Sequence, residues 1–388
     1  MRCPGLIKLL RSVATSNRRW AILLGFGWLA YAALAANPTP MTRLESATFG
    51  QTADGQTVQL FTLRNANGIV AKVMSYGATL TELDVPDRTG KTANVILGSD
   101  NWAAYAKGHP AAGSVIGRFA NRIAKGRFTL DGKDYSLVVN NGPNHLHGGT
   151  VNFARVVWKA EALPVGAHEA AVRFSYFSKD GEEGYPGNMT VTVTYTLTDT
   201  DELRLEYTAE TDQATPVNLT NHVYFNLAGH GDALAHELWL ATDRYTPTDD
   251  GLIPTGEIAS VKGTPLDFTA PTPIGARIAQ LAPKLTGYDH NFVLDSDGRT
   301  PRLCARVRDP ESGRVMEALT TEPGVQLYTG NHIQEFTGTG GAKFGPRPAF
   351  CLETQHYPDA INQPAFPSPV VRPGVKFRSQ TVFRFLAK

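Results

Sequence analysis

Two side chains in this sequence have the chemistry and the surroundings that acid–base catalysis requires. His222 lies in NLTNHVYFNLAG, residues 218–229, a stretch with the aromatic and β-branched residues of a strand. Glu353 follows the apolar run at residues 349–352, so it is predicted to be buried, where a carboxylate must be paired or hydrogen-bonded. A histidine in a strand is usually structural, so His222 alone establishes no reaction. Together the two residues could supply a general acid and a general base.

Other polar side chains interrupt β-like runs and indicate a ligand rich in hydroxyl groups. Amides, imidazoles and a guanidinium group provide hydrogen bonds, and aromatic rings provide flat apolar contacts, as a carbohydrate requires. The candidates are Arg118, Asn121, Arg122, His145, His147, Tyr224, Asp289, His290, Gln326 and Tyr328. Taken alone, each has a structural explanation, such as a paired surface arginine or a turn aspartate. No nucleophile elbow and no phosphate-binding glycine loop accompanies them in the sequence.

The pair His145 and His147 raises the question of a metal site. A site built on such a pair needs a carboxylate a few residues on, whereas the next four residues are Gly, Gly, Thr and Val. The double glycine also argues against a continuing strand that would place both imidazoles on one face. We therefore predict no metal ion, and no other cofactor.

Short strands separated by turns must position these residues. The runs at 171–178, 191–197 and 203–210 alternate with period two and are rich in β-branched and aromatic residues. Asp-Gly pairs, which mark hairpins and tight turns, stand at residues 54–55, 131–132, 180–181, 250–251 and 297–298. Helical periods are short and lie near residues 102–107 and 273–282. The sequence predicts an all-β protein, a large sandwich or barrel with few short helices.

The first 36 residues differ from the rest of the chain. They contain five basic residues and no acidic one, and an apolar run from Trp20 to Ala36 that ends in an A-x-A-like tripeptide. This is the layout of a secretory signal peptide, which predicts export to the periplasm or the extracellular space. An uncleaved membrane anchor over residues 20–36 stays open, since spanning needs roughly 17 residues. Translation from Met41 would instead give a cytoplasmic protein.

Residues 37–388 are predicted to form one domain. No repeat, linker or shift in composition divides them, and 42% hydrophobic residues suffice for a large core. Without the five leader charges, the formal net charge of +1 becomes −4, so nucleic acid is not an expected partner.

A monomer and a dimer are both compatible with the sequence. Cys304 and Cys351 either pair in an oxidising compartment or stay buried as thiols.

The motifs, taken in order, resemble the aldose 1-epimerase family, the galactose mutarotases. They are GRFANR at 117–122, NHLHGG at 144–149, DGEEGYPGN at 180–188, GLIPTGEI at 251–258, YDHNFVL at 288–294 and CLETQ at 351–355. The resemblance extends from about Leu44 to the C-terminus. It implies a β-supersandwich, a single catalytic domain over residues 37–388, and free aldoses such as glucose and galactose as substrates.

The resemblance also implies roles for individual residues. His222 would be the general acid and Glu353 the general base, in a reaction that opens the sugar ring and recloses it on the other face. The residues that would bind the sugar are Asn121, Arg122, His147, Tyr224, Asp289 and Gln326. Arg118, the first arginine of GRFANR, is predicted to be structural. Because the reference pKa values are about 4.3 for Glu and 6.5 for His, we expect the site to raise the pKa of His222.

Two other functions remain open from the sequence. A glycoside hydrolase would use Glu353 and Asp289 as paired carboxylates, which leaves His222 without a task. A sugar-binding protein without catalysis would need neither His222 nor Glu353. The sequence does not specify the preferred sugar, since glucose, galactose, xylose and arabinose differ by single hydroxyl positions. Sugar phosphates are not expected, because no further basic cluster accompanies Arg122.

Overall fold

Alternating apolar residues fold most of the chain into antiparallel sheets. The computed structural model describes residues 41–388, and the predicted leader lies outside this range. Within it the strands form three larger sheets, of five, nine and five strands, and five two-stranded ribbons. These residues make up one compact unit. The prediction of an all-β fold with few short helices is confirmed.

The N-terminal sheet is a meander of five strands that follow one another in the chain. They are Leu44–Gln51, Thr57–Arg64, Val70–Met74, Thr79–Pro86 and Thr92–Asn94. The predicted turn at Asp54 and Gly55 joins the first two strands, and Gly55 has the left-handed φ of 85° that such a turn requires. Val73 and Leu83 extend from this sheet into the main core.

The central sheet has nine antiparallel strands. In spatial order they are Lys159–Ala162, Glu169–Ser178, Met189–Thr198, Glu202–Thr211, Phe377–Ala387, Arg314–Thr320, Arg302–Arg308, Glu237–Leu240 and Thr272–Pro273. The three runs predicted from period-two alternation are the second, third and fourth of these strands. The C-terminal strand pairs in the middle of the sheet, so it joins the two halves.

The third sheet, here called the site sheet, has an apolar face and a polar face. Its strands, in spatial order, are Ala259–Ser260, Arg244–Tyr245, Asp289–Val293, Gly324–Tyr328 and Cys351–Gln355. Phe292, Leu327 and Leu352 belong to the core cluster that the other two sheets also enter. Because side chains alternate along a strand, Cys351 and Glu353 share the opposite face, as predicted.

Shorter elements complete the described chain. The ribbons pair Val115–Ile116 with Thr220–Asn221, Arg122–Ile123 with His145–Leu146, Arg127–Leu130 with Lys133–Ser136, Thr215–Pro216 with Val370–Val371, and Phe336–Thr337 with Lys343–Phe344. The α-helix Trp102–Ala106 lies where the first helix was predicted. The 3-10 helices are Ala124–Gly126, Phe153–Arg155, Glu182–Gly184, Ile274–Ala276, Ile278–Leu281, Thr339–Gly341 and Ala360–Asn362. No helix within residues 41–388 is long and apolar enough to cross a membrane.

The second predicted helix, near residues 273–282, is two short 3-10 helices instead of one α-helix. Pro273 and Pro283 bound this segment, and Gly275 lies inside it. Proline cannot continue a helix and glycine destabilises one, so the segment is too short and too interrupted for a stable α-helix.

The stretch at residues 218–229 is not the continuous strand that its sequence predicts. Only Thr220–Asn221 pairs as a strand within it. Downstream, the Nδ2 of Asn226 donates to the carbonyl of Pro348 at 2.8 Å, and its Oδ1 accepts the N–H of Ala228 at 3.0 Å. Side-chain amides thus satisfy backbone groups that a strand ladder would have paired, and the segment bends without leaving them unpaired.

Arg118 has the structural role predicted for it. Its side chain is 2% exposed. The guanidinium group donates to Ser178 Oγ at 2.8 Å and to the carbonyl oxygens of Ser178, Lys179 and Pro186 at 2.8–3.0 Å. These four hydrogen bonds tie the segment that contains Arg118 to the turn after a central-sheet strand.

We predict that Arg118→Met lowers the free energy of unfolding by about 3 kcal/mol or more, because buried acceptors lose their donors. Urea denaturation measures this change. Arg372→Met is the control, since Arg372 pairs with Asp131 at the surface and its loss should change stability little. Equal stability losses in the two variants would contradict the structural role of Arg118.

Candidate active site

A cleft of about 670 Å³ opens on the polar face of the site sheet. This volume is typical of a small-molecule site. Of the eight residues predicted from the sequence, those that line the cleft are Asn121, Arg122, His147, His222, Tyr224, Asp289 and Glu353. The eighth, Gln326, lies behind Asp289 and donates from Nε2 to Asp289 Oδ1 at 2.6 Å.

His222 and Glu353 meet at the base of the cleft. The imidazole Nε2 lies 3.5 Å from the carboxyl Oε1. The Glu353 side chain is 2% exposed, and its Oε2 has no hydrogen-bond partner among the described residues. The backbone N–H of His222 donates to the Ser114 carbonyl at 3.0 Å, and the imidazole ring stacks on Tyr224 at 4.8 Å between centroids. Backbone and ring contacts therefore fix the imidazole beside the carboxyl group.

Burial determines the protonation states of this pair. It raises the pKa of Glu353 well above its usual value, the Asp289 charge raises it further, and Arg122 opposes the rise. Burial lowers the pKa of His222 to about 4, although its own backbone carbonyl and Asp289 act in the other direction. The expectation that the site raises the pKa of His222 is therefore wrong for the free cleft. An environment of low polarity favours the neutral form of both groups, which places their shared proton on Glu353.

His147 is held as a neutral hydrogen-bond donor. Its Nδ1 accepts the backbone N–H of Asn121 at 3.1 Å, and the backbone N–H of His147 donates to the Asn121 carbonyl at 2.9 Å. Because Nδ1 is an acceptor, the proton of the neutral ring is on Nε2. Burial, together with His222 and Arg122, lowers the pKa of His147 well below its usual value. The ring therefore stays neutral and presents an N–H donor to a ligand oxygen.

The two glycines after His147 allow close packing of the loop. Gly148 has φ of 83°, and a Cβ there would lie 1.9 Å from the Gly117 carbonyl oxygen. Gly149 has φ of 106°, and its Cβ would overlap the carboxyl group of Glu183. Only glycine fits either position, so the double glycine serves the backbone that carries His147.

His145 does not share the cleft with His147. Its Nδ1 lies 2.6 Å from the Val138 carbonyl oxygen and its Nε2 lies 2.6 Å from the Tyr185 hydroxyl. Both ring nitrogens are thus engaged in the interior, and the HxH pair does not point at one ligand.

A cation is nevertheless sterically conceivable at another set of atoms. Ligand atoms of His147, His222 and Glu353 all lie within 4.8 Å of one another. A cation bound to His147 would require the lone pair of Nε2. Because Nδ1 accepts the hydrogen bond from Asn121, the proton of the neutral ring is on Nε2, and that lone pair is not free. The donor set therefore fits a hydroxyl-bearing ligand better than a metal ion.

Arg122 and Asp289 form a charged pair beside the acid–base pair. Arg122 Nη1 lies 3.7 Å from Asp289 Oδ2, and the two side chains are 11% and 17% exposed. Arg122 Nε donates to Asn141 Oδ1 at 3.2 Å. Asn141 was not predicted from the sequence, because it lies in an Asn-Gly turn whose composition indicates only a turn.

Further residues that the sequence did not single out also line the cleft. They include Tyr76, Tyr105, His109, Asn152, Arg155 and His332. Tyr76 lies in the turn between the third and fourth strands of the N-terminal sheet, Tyr105 in the helix Trp102–Ala106 and Arg155 in a 3-10 helix. The others lie in loops, so no common motif or spacing links the six residues. The cleft thus extends beyond the acid–base pair.

Comparison with known proteins decides the family. The aldose 1-epimerase family model matches residues 59–384. The chain belongs to the aldose 1-epimerase family. Galactose mutarotase of Bos taurus is 47% identical over 349 residues, which cover 89% of this chain and 99% of that protein. Aldose 1-epimerase of Escherichia coli (strain K12) is 36% identical over 342 residues, which cover 86% and 97%.

Solved structures agree with this assignment. An aldose epimerase homologue from C. elegans has a TM-score of 0.76 and 30% identity, and the match covers 84% of this chain and 98% of that one. Galactose 1-epimerase from Lactobacillus acidophilus also gives a TM-score of 0.76, with 28% identity and 88% and 98% coverage. The predicted mutarotase-like sandwich and the predicted activity are confirmed. The chain is an isomerase that interconverts the α and β anomers of aldoses, not a hydrolase or a binding module.

Proposed function

We propose that His222 and Glu353 interconvert the anomers of free aldohexoses, galactose and glucose among them, as an acid–base pair. The observation that carries this proposal is the 3.5 Å separation of the His222 Nε2 from the Glu353 Oε1 inside the cleft. The choice of sugars is supported by similarity to proteins named galactose mutarotase.

In the first half of the reaction the ring opens. The Glu353 carboxylate accepts the proton of the anomeric hydroxyl, the carbonyl forms at C1, and the bond between C1 and the ring oxygen breaks. The His222 Nε2–H gives its proton to that ring oxygen. The products are the open-chain aldehyde, a protonated Glu353 and a neutral His222.

In the second half the ring closes on the other face of the aldehyde. The bond between C1 and C2 rotates by half a turn. The former ring oxygen attacks C1 again while His222 takes back its proton, and Glu353 returns a proton to the carbonyl oxygen. Each catalytic group ends in its starting state, so the cycle consumes no further reagent.

The remaining predicted residues hold the sugar in this position. Arg122, Asn121 and His147 provide donors for sugar oxygens, and Asp289 provides an acceptor for sugar hydroxyls. Tyr224 is the platform under the His222 ring. Gln326 acts indirectly, through its hydrogen bond to Asp289.

Substrate binding must move the shared proton from Glu353 to His222. Arg122 favours this transfer because it lowers the pKa of Glu353, whereas Asp289 raises the pKa of both groups and so acts on each side of the transfer. In the free cleft, Oε2 of Glu353 has no hydrogen-bond partner among the described residues, and the anomeric hydroxyl supplies a donor to this carboxylate. The bound sugar thus stabilises the charged pair that burial alone disfavours.

We predict that Glu353→Gln and His222→Ala each lower kcat by about 10²-fold or more, because each removes one proton-transfer group. Polarimetry on freshly dissolved α-galactose and α-glucose measures the rate against buffer. Glu317→Gln, in a central-sheet strand and paired with Arg306, is the matched control and should keep full activity. Near-normal turnover by folded His222→Ala would refute its role as the acid.

The pH dependence of kcat/KM should show an acid limb near pH 4 instead of near 6.5. Activity is lost when the pair binds a second proton, and with Glu353 protonated that proton goes to His222, whose pKa is about 4. At alkaline pH activity falls when the pair loses its only proton. Polarimetry corrected for the buffer-catalysed rate tests this, with circular dichroism at each pH to verify folding. An acid limb centred near 6.5 would show that the free cleft does not depress the His222 pKa.

We also propose that the protein is exported and that its leader, residues 1–36, is removed. The basic segment, apolar run and A-x-A-like end of the leader support this. Mass spectrometry of the protein purified from its native host should then find a mature N-terminus near Asn37. An intact Met1 would refute cleavage, and a chain that begins at Met41 would indicate a cytoplasmic form.

A further inference from the structure

Three histidines of the described chain, two of them in the cleft, differ in the partner of Nδ1. For His147 the partner is the Asn121 N–H, a donor. For His356 it is the Glu322 carboxylate at 2.6 Å. For His222 it is the Cys351 thiol, with Sγ 3.5 Å from Nδ1. A partner on one ring nitrogen decides what the other nitrogen can do, so the three rings are prepared for different tasks.

The Cys351 thiol is placed by the strand that carries Glu353. The two residues are two positions apart on the polar face of the site sheet, so one strand presents the thiol to Nδ1 and the carboxyl group to Nε2 of the same ring. Cys351 is fully buried and packs with Tyr224, on which the His222 ring stacks. The imidazole is thus held at both nitrogens by one strand.

The chemistry of the proposed acid restricts the tautomer of His222. When Nε2 has given its proton to the ring oxygen, it must hold a lone pair in order to take that proton back. The neutral ring must then keep its proton on Nδ1, and Nδ1 needs an acceptor. Sulfur is a weak, uncharged acceptor that satisfies this N–H without strongly stabilising the imidazolium ion.

We propose that Cys351 is a positioning residue, whose sulfur accepts the Nδ1–H of His222 and holds the neutral ring in the tautomer that leaves Nε2 free to exchange protons. This inference rests on the proposed role of His222 as the acid.

The contrast with His356 shows why a thiol suits this position. Burial alone would lower the pKa of His356, but the Glu322 charge and hydrogen bond raise it above its usual value. At His222, by contrast, burial prevails and the pKa falls to about 4. Burial, with the charge of Asp289 and that of Glu353 when it is ionised, also raises the pKa of Cys351 well above its usual value, so the thiol stays uncharged. An imidazolium ion beside a neutral partner gives up its proton more readily than one beside a carboxylate.

Several other groups surround the same ring. The titratable and charged ones are His147, Tyr224, Asp289, Tyr328, Glu353 and, through its charge on His147 and Glu353, Arg122. The backbone carbonyl of His222 itself also favours a proton on the ring. Among residues 41–388, Cys351 is the side chain at hydrogen-bond distance from Nδ1.

The test is nitrogen-15 NMR of the imidazole groups in the full protein near neutral pH, without sugar, combined with kcat and KM from polarimetry. His222 is assigned by comparison with His222→Ala. The variants are Cys351→Ala, which removes the acceptor, and Cys351→Ser, which keeps one. Cys304→Ala is the control, because Cys304 is a buried thiol on the central sheet that contacts the Ala318 carbonyl.

We expect the Nδ1–H tautomer of His222 in the unsubstituted protein, in Cys351→Ser and in Cys304→Ala. In Cys351→Ala the Nε2–H tautomer should gain population and kcat should fall about tenfold at nearly constant KM, with Cys351→Ser restoring most of kcat. An Nε2–H tautomer in the unsubstituted protein would overturn the proposal even if Cys351→Ala does not fold. Unchanged tautomer and kcat in folded Cys351→Ala would also overturn it. Because the tautomer is read without turnover, these outcomes are distinct from a failure of His222 as the acid.

Discussion

Burial of the Glu353 carboxyl group is the constraint on which the rest of the site depends. Water reaches only 2% of this side chain, and among residues 41–388 Arg122 is the cation that lowers its pKa. A carboxylate in such surroundings is costly, so the free cleft favours the protonated acid. The same burial keeps His222 neutral. Because burial disfavours the charged form of both groups, the pair shares one proton. A reaction that donates one proton and removes another in the same step can use such a pair.

Packing of the strand that carries Glu353 keeps this carboxyl group buried. Leu352 is anchored in the main core, and the Thr354 hydroxyl bonds to that of Thr381 in the central sheet, so the strand that carries Glu353 is held from its apolar face. Register with the neighbouring strand sets Gln326 directly opposite Glu353. The polar face therefore remains available for the reaction. Packing of the apolar face offsets the stability that is lost when ionisable groups are buried.

The sequence predicted those parts of this arrangement that are local. Period-two alternation gave the strands and the shared face of Cys351 and Glu353, because side-chain direction in a strand follows from position alone. Properties that depend on distant contacts were missed. Asn141 reaches Arg122 across a turn, asparagine amides replace the expected ladder downstream of His222, and the depressed pKa of that histidine results from enclosure by the whole fold.

His222 and Glu353 share one proton, which we propose lies on Glu353 in the free cleft and moves to His222 when the sugar binds. Difference infrared spectroscopy near pH 7 tests this directly, with Glu353→Gln used to assign the carboxyl band. We expect a protonated-carboxyl band in the free protein that is absent from the variant and weakens when galactose is added. A free protein in which Glu353 is already ionised at pH 7 would contradict it.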